Sequence, residues 1–316
     1  MSRIHEALKK AAQDKASQPP RVVTADLVEG AAEINRRPAS IEPPEDVMRV
    51  EDLRVPGIDP RFKDTRFLNY EELIKRCSHP QWTLDARNSV FVGDDSDRIG
   101  AERFRTLRSR LYQIAANQQL KKLLITSSIP AEGKTFVAAN LAQSIIRQHD
   151  RRVLLIDADL RASRLHQSLG APSGPGLTDY LRGEVDEYSI IQNGMEGNLC
   201  FIPGGQPVSN PSELLLRDKM KHLLDAMSEI FDWVILDSPP ALPVHDASML
   251  ADLCDGVLFV VRAGSTDSEI AQRVSAEFRD KNLLGVVLNR VDSADTYNNY
   301  YYGYDGDGQG MAAAKK

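Results

Sequence analysis

From Ile99 onward the chain alternates between two hydrophobic rhythms. Short runs that are apolar at nearly every position fall at Lys122–Ser127, Arg152–Asp157, Leu199–Ile202, Trp233–Asp237, Gly256–Arg262 and Leu284–Asn289. Between them, apolar residues recur at helical spacing over Thr135–Gln148, Leu177–Arg182, Ser212–Glu229, Asp246–Leu253 and Ser268–Phe278. Strands apolar on both faces belong in a parallel sheet that is covered on both sides. With right-handed crossovers, the pattern predicts a doubly wound, mostly parallel α/β sheet with helices on both faces. No internal repeat of solenoid length interrupts it.

The flanks read differently. Over residues 1–16, Ile4, Leu8 and Ala11 share one face of a short basic helix, either a frayed terminus or a docking helix for a partner or a membrane surface. Residues 17–95 form a poorly defined region whose first part is Pro-rich, with Pro19, Pro20, Pro38, Pro43, Pro44, Pro56 and Pro60, and reads as a linker. The regular domain is placed at 96–292. Residues 293–316 have almost no aliphatic side chains and many Gly, Asn and Asp, so they are expected to form a flexible tail.

Composition narrows the class. A net charge of −6 over 316 residues gives no field to attract nucleic acid, and none is expected as a partner. Cys77, Cys200 and Cys254 are scattered, which argues against a disulfide framework or a zinc site and fits a reducing cytosol. The charged N-terminus lacks a signal-peptide core, and no apolar run approaches the roughly 18 residues of a spanning helix. The expected location is therefore cytoplasmic, and any membrane attachment would come through something else.

The first strand runs into Ser127-Ser128-Ile129-Pro130-Ala131-Glu132-Gly133-Lys134-Thr135, and a helix follows. That is the setting a phosphate-binding loop requires, because successive N–H groups and the helix N-terminus can cradle an anion. Lys134 would reach the β- and γ-phosphate oxygens, and the Thr135 hydroxyl would ligate Mg²⁺. Gly133 lets the backbone approach the ligand, whereas Ser128 stands where the motif ordinarily has its first glycine. Ser128, Ile129, Pro130, Ala131, Glu132, Gly133, Lys134, Thr135 and Phe136 are thus the candidate nucleotide contacts. Two further strands end in carboxylates, Asp157 with Asp159 in one and Asp237 in the other. A carboxylate at a strand's C-terminal end lies where open α/β sheets bind ligands, and Asp237 stands in the place that holds Mg²⁺ directly or through water. The alternative for any one such Asp is a turn or helix cap. Asn289, ending the last strand, is a candidate contact for the nucleotide base, with an ordinary turn asparagine as the alternative.

Together SSIPAEGKT, LLIDADLR and VILDSPP resemble the Walker A, A′ and B motifs of the bacterial tyrosine kinases, the P-loop autokinases of capsule and exopolysaccharide synthesis and export. The likeness runs from about Gly100 to the C-terminus. It implies an ATP- and Mg²⁺-dependent protein-tyrosine kinase in which Asp157 accepts the tyrosine proton and Asp159 joins Thr135 and Asp237 around the metal; spacing alone does not separate the two A′ aspartates. Glu102, Arg105 and Arg108 stand three residues apart on one helix. They could form a solvated face with an intrahelical pair or charge-assisted bonds across a subunit boundary; in the family this ExxRxxR pattern implies a ring-like homo-oligomer. The tail holds Tyr297, Tyr300, Tyr301, Tyr302 and Tyr304, five of the chain's nine tyrosines. Exposed phenols in a flexible segment beside an ATP site suit phosphorylation in trans, and such a cluster is what the family autophosphorylates. The resemblance also implies an activator, the cytoplasmic tail of a separate membrane polysaccharide co-polymerase, which would hold the protein at the inner face of the plasma membrane. Two other readings share the loop: a non-catalytic, nucleotide-switched scaffold, and a MinD/ParA-like positioning ATPase. The latter class has an extra lysine early in the loop, and Ser127–Glu132 contain none.

Overall fold

The computed structural model describes residues 69–92, 98–148, 150–194 and 198–291. In chain order the elements are α1 (Tyr70–Arg76), α2 (Arg98–Ala115), β1 (Lys122–Ser127), α3 (Lys134–Ile146), β2 (Val153–Asp157), α4 (Leu165–Leu169), α5 (Leu177–Arg182), α6 (Glu187–Ile190) and β3 (Gln192–Asn193). They continue through β4 (Leu199–Ile202), α7 (Pro211–Leu215), α8 (Asp218–Ile230), β5 (Trp233–Asp237), α9 (Asp246–Ala251), β6 (Gly256–Arg262), α10 (Ser268–Ala276) and β7 (Leu283–Asn289). The strands form one sheet in the order β3-β4-β2-β5-β1-β6-β7. All neighbours are parallel except the short edge strand β3, which runs antiparallel to β4. This is the doubly wound α/β sheet expected from the hydrophobic rhythm.

The period-2 geometry of strands explains why the runs are apolar throughout. Leu124, Leu154, Ile156, Val234, Leu236, Val257 and Phe259 face one core. Their chain neighbours Leu123, Ile125, Val153, Leu155, Ile235, Leu258 and Val260 face the other. Each fully buried Leu or Ile contributes about 1.5–3 kcal/mol of transfer free energy. Surface ion pairs contribute about 0–1 kcal/mol each, so the two interiors, not the surface charges, hold the sheet.

Two expectations are corrected. The stretch read as a helix over Ser212–Glu229 is two helices, α7 and α8, separated at Leu216, which is 67% exposed. Residues 69–92, assigned above to the region preceding the domain, pack into it: Leu73 and Cys77 enter one core and Trp82 and Val90 the other. Buried polar side chains of α3 fasten this segment, since Asn140 accepts from the Val90 N–H at 2.9 Å and Gln143 accepts from the Ser89 hydroxyl at 2.8 Å. The segment is irregular beyond α1, so no period betrays it; its signal lies in the polar positions of α3. The expected N-terminal helix, the linker up to residue 68 and the tail over 293–316 lie outside the described residues.

Candidate functional site

Parallel register brings the three strand ends together. Asp157 pairs with Asp237 across β2 and β5, and Asp237 pairs with Ile125 of β1, two residues before the loop begins. The loop then turns through Gly133, which has φ +99° and caps α3. That φ strains any residue with a Cβ, and a Cβ there would also lie 1.9 Å from Asn289 Nδ2 and displace it, so glycine is strongly favoured. Lys134 opens the helix and reaches back, placing its Nζ 2.9 Å from Asp159 Oδ2, with both side chains largely buried. Asp159 can face this crevice because the chain turns after β2: the Ala158 N–H donates to the Asp237 carbonyl, and the Ala162 N–H donates to Asp159 Oδ1.

The electrostatics are those of one cation among three carboxylates. Burial alone would lower the Lys134 pKa, but the charges of Asp237 and Asp159 outweigh it and raise the value. Burial pushes the Asp237 carboxyl up to about 7, with Lys134 opposing and Asp157 adding. The Thr135 hydroxyl nearby restrains the rise at Asp237, yet Asp237 Oδ1 and Ser128 Oγ are both buried without a hydrogen-bond partner among the described residues. A buried carboxylate oxygen left unpaired is costly unless a ligand completes it, and a divalent cation beside a phosphate would do so. Among the described residues no group of three or more His, Cys, Asp or Glu is arranged to hold a metal by itself. A cation here would therefore draw ligands from nucleotide and water, as Mg²⁺ ordinarily does.

Asp157 is in a different state from its neighbours. It is fully buried, and its carboxylate accepts from the Ser163 hydroxyl at 2.7 Å, the Leu165 N–H at 3.0 Å and the Asp159 N–H at 3.2 Å. Burial raises its pKa while the Ser163 and Leu165 bonds restrain the rise. Ser163 had no signal in the sequence beyond being a polar residue in the turn after β2. Arg161 completes the A′ segment. Its guanidinium forks onto Asp246 at the start of α9 at 2.7 and 3.2 Å and onto Ser212 at 2.8 Å. Asn289 lies against the loop, its Nδ2 donating to the Glu132 carbonyl at 2.8 Å.

The ExxRxxR residues separate. Ala101, Phe104 and Leu111 form the buried stripe of α2, and Arg108 falls on that stripe by spacing. Its guanidinium donates to the Ser144 carbonyl of α3 in the same chain. Glu102 and Arg105 pair with each other on the exposed face. Tyr297, Tyr300, Tyr301, Tyr302 and Tyr304 lie outside the described residues. Among the described residues no helix is long and apolar enough to cross a membrane.

Residues 123–308 match the CobQ/CobB/MinD/ParA nucleotide binding domain. Over 219 residues the chain is 32% identical to the tyrosine-protein kinase YwqD of Bacillus subtilis (strain 168), covering 69% of this chain and 92% of that protein. It is 36% identical over 208 residues to the tyrosine-protein kinase etk of Escherichia coli (strain K12), covering 65% of this chain but only 28% of etk. The solved kinase domain of the Escherichia coli tyrosine kinase ETK superposes with a TM-score of 0.59 at 35% identity, covering 63% of this chain and 79% of that one. The chimerical protein CapA2B2 superposes with a TM-score of 0.61 at 27% identity, covering 68% of this chain and 94% of that one.

Proposed function

The chain belongs to the bacterial tyrosine-protein kinase family, and from that premise we propose that it transfers the γ-phosphoryl group of ATP to tyrosines of its own C-terminal cluster, between neighbouring subunits. The observation that carries this reading is the convergence of Lys134, Asp157, Asp159 and Asp237 at three adjacent strand ends, with one Asp237 oxygen left unpaired.

Lys134 leaves Asp159 to neutralise the β- and γ-phosphates, and the amides of the loop and of the first turn of α3 bind the remaining oxygens. Mg²⁺, when bound, would be held by Thr135, Asp237 and Asp159 and would neutralise charge on the phosphate oxygens. Asp157 accepts the phenolic proton as the tyrosine oxygen bonds to the γ-phosphorus and the bond to ADP breaks. Before that transfer its Oδ2 exchanges the Ser163 hydroxyl for the substrate hydroxyl. Glu102 and Arg105 supply charges to a ring-like assembly, while Arg108 braces α2 within each subunit. A separate membrane co-polymerase activates the kinase through its cytoplasmic tail and holds it at the membrane, where phosphorylation regulates exopolysaccharide synthesis and export.

The test is a mixing experiment. A Lys134→Met chain has acceptors without catalysis, and a chain with all five tail tyrosines changed to phenylalanine has catalysis without acceptors. Phosphate label on the Lys134→Met tails, located by mass spectrometry, is the expected result. Wild type that never becomes labelled, even with the activator present, would leave the scaffold or positioning-ATPase readings in its place.

A further inference from the structure

The phosphate loop contains a buried carboxylate that the proposed reaction does not use. Glu132 is 1% exposed. Its Oε2 accepts from the Ile129 N–H at 2.7 Å, and its Oε1 accepts from the Thr266 hydroxyl at 2.6 Å and the Arg262 N–H at 3.4 Å. Its carbonyl accepts from Asn289 Nδ2 at 2.8 Å. One residue is thus tied to the start of its own loop, to the last residue of β6, to the turn after β6 and to the last residue of β7.

Such bracing has a reason in the loop's composition. Ser128 replaces a glycine, and Ala131 adopts φ +66°, the left-handed region that disfavours residues with a Cβ. A loop that strains one residue does not hold its shape unaided; surrounding contacts must fix it. The carboxylate closes a ring from residue 132 back to the N–H of residue 129, which sets the turn through Pro130 and Ala131. Its two oxygens are engaged by donors within the protein, the Ile129 N–H on one and the Thr266 hydroxyl and Arg262 N–H on the other.

We propose that Glu132 is a positioning residue for nucleotide. Its carboxylate touches no phosphate, and it holds the loop amides in their anion-binding arrangement by anchoring the loop to Thr266 and the end of β6. This rests on the reading that the loop binds ATP.

The test is titration of the full chain with a fluorescent ATP analogue and Mg²⁺, alongside thermal melting. Glu132→Ala should weaken binding roughly tenfold, the scale of one charge-assisted hydrogen bond, and raise KM with kcat little changed. Glu132→Gln should recover most of the affinity, because its carbonyl can accept from Ile129 and its amide can donate to Thr266. Thr266→Val should weaken binding a few-fold in wild type and add nothing in the Glu132→Ala background, since it acts through Glu132. Unchanged affinity in Glu132→Ala, or full additivity of the two changes, overturns the proposal. Should Glu132→Ala fail to fold, Thr266→Val decides: weaker binding at an unchanged melting temperature supports the proposal and unchanged binding overturns it. Wild type that does not bind the analogue, or Lys134→Met that binds equally well, overturns the nucleotide reading and Glu132's role with it.

Discussion

Lys134→Met removes the positive charge of the phosphate loop, and the structure predicts that it also costs stability. The ammonium is 2.9 Å from Asp159, the two side chains are only 14% and 5% exposed, and Asp157 and Asp237 lie close enough to influence it. Methionine fills the volume of the stem, so packing changes little and the loss is electrostatic. Removing one partner of a buried ion pair costs about 3–5 kcal/mol, because the other charge is left uncompensated. For a domain of this size, about 3 kcal/mol corresponds to a fall in Tm of roughly 6–12 °C. Melting followed by circular dichroism, without nucleotide or metal at neutral pH, measures it. Asp159→Asn alone should also destabilise, whereas the double variant Lys134→Met/Asp159→Asn should be more stable than the sum of the single losses predicts. A Lys134→Met chain that melts with wild type, or a strictly additive double variant, would refute the argument.

Three further outcomes follow from other charged contacts of the fold. Arg105→Ala should reduce the mass of any assembly in light scattering while leaving Tm unchanged. Arg108→Ala should cost about 1.5–3 kcal/mol of protomer stability, since it removes a charged donor from the Ser144 carbonyl. Asp246 gives a pH signature. Burial would raise its pKa, but the hydrogen bonds from Arg161 and Ser212 outweigh that and lower it. A carboxyl whose folded pKa is depressed adds stability above its unfolded value near 4, and that contribution is lost as pH falls through the lower folded value. Denaturant unfolding of Arg161→Gln should therefore lie below wild type at neutral pH and converge with it in acid.

How far the sequence specified this protein depends on whether the signal was local. The strands were legible because residues apolar on both faces, such as Val153–Ile156 and Val234–Leu236, have only a doubly covered sheet to occupy. The loop was legible because Gly133, Lys134 and Thr135 are adjacent in the chain. Asp157, Asp159 and Asp237 could be placed at strand ends by pattern, and the parallel register of β2 and β5 did the rest. The sequence could not show which bonds each carboxylate makes. Asp157 accepts from Ser163, Leu165 and Asp159, while Asp237 keeps an unpaired oxygen, and that difference is set by turns that carry no periodicity. Likewise Glu132 reads as one more loop residue until β6 and β7 bring Thr266 and Asn289 beside it from more than 130 positions away. Arg108 reads as a surface charge until α3 packs along the Ala101–Phe104–Leu111 stripe. Secondary structure and motif chemistry depend on neighbours within a few residues, which one chain displays directly. Hydrogen-bond partners and burial depend on which distant segments the sheet order places together, and only the folded structure decides that.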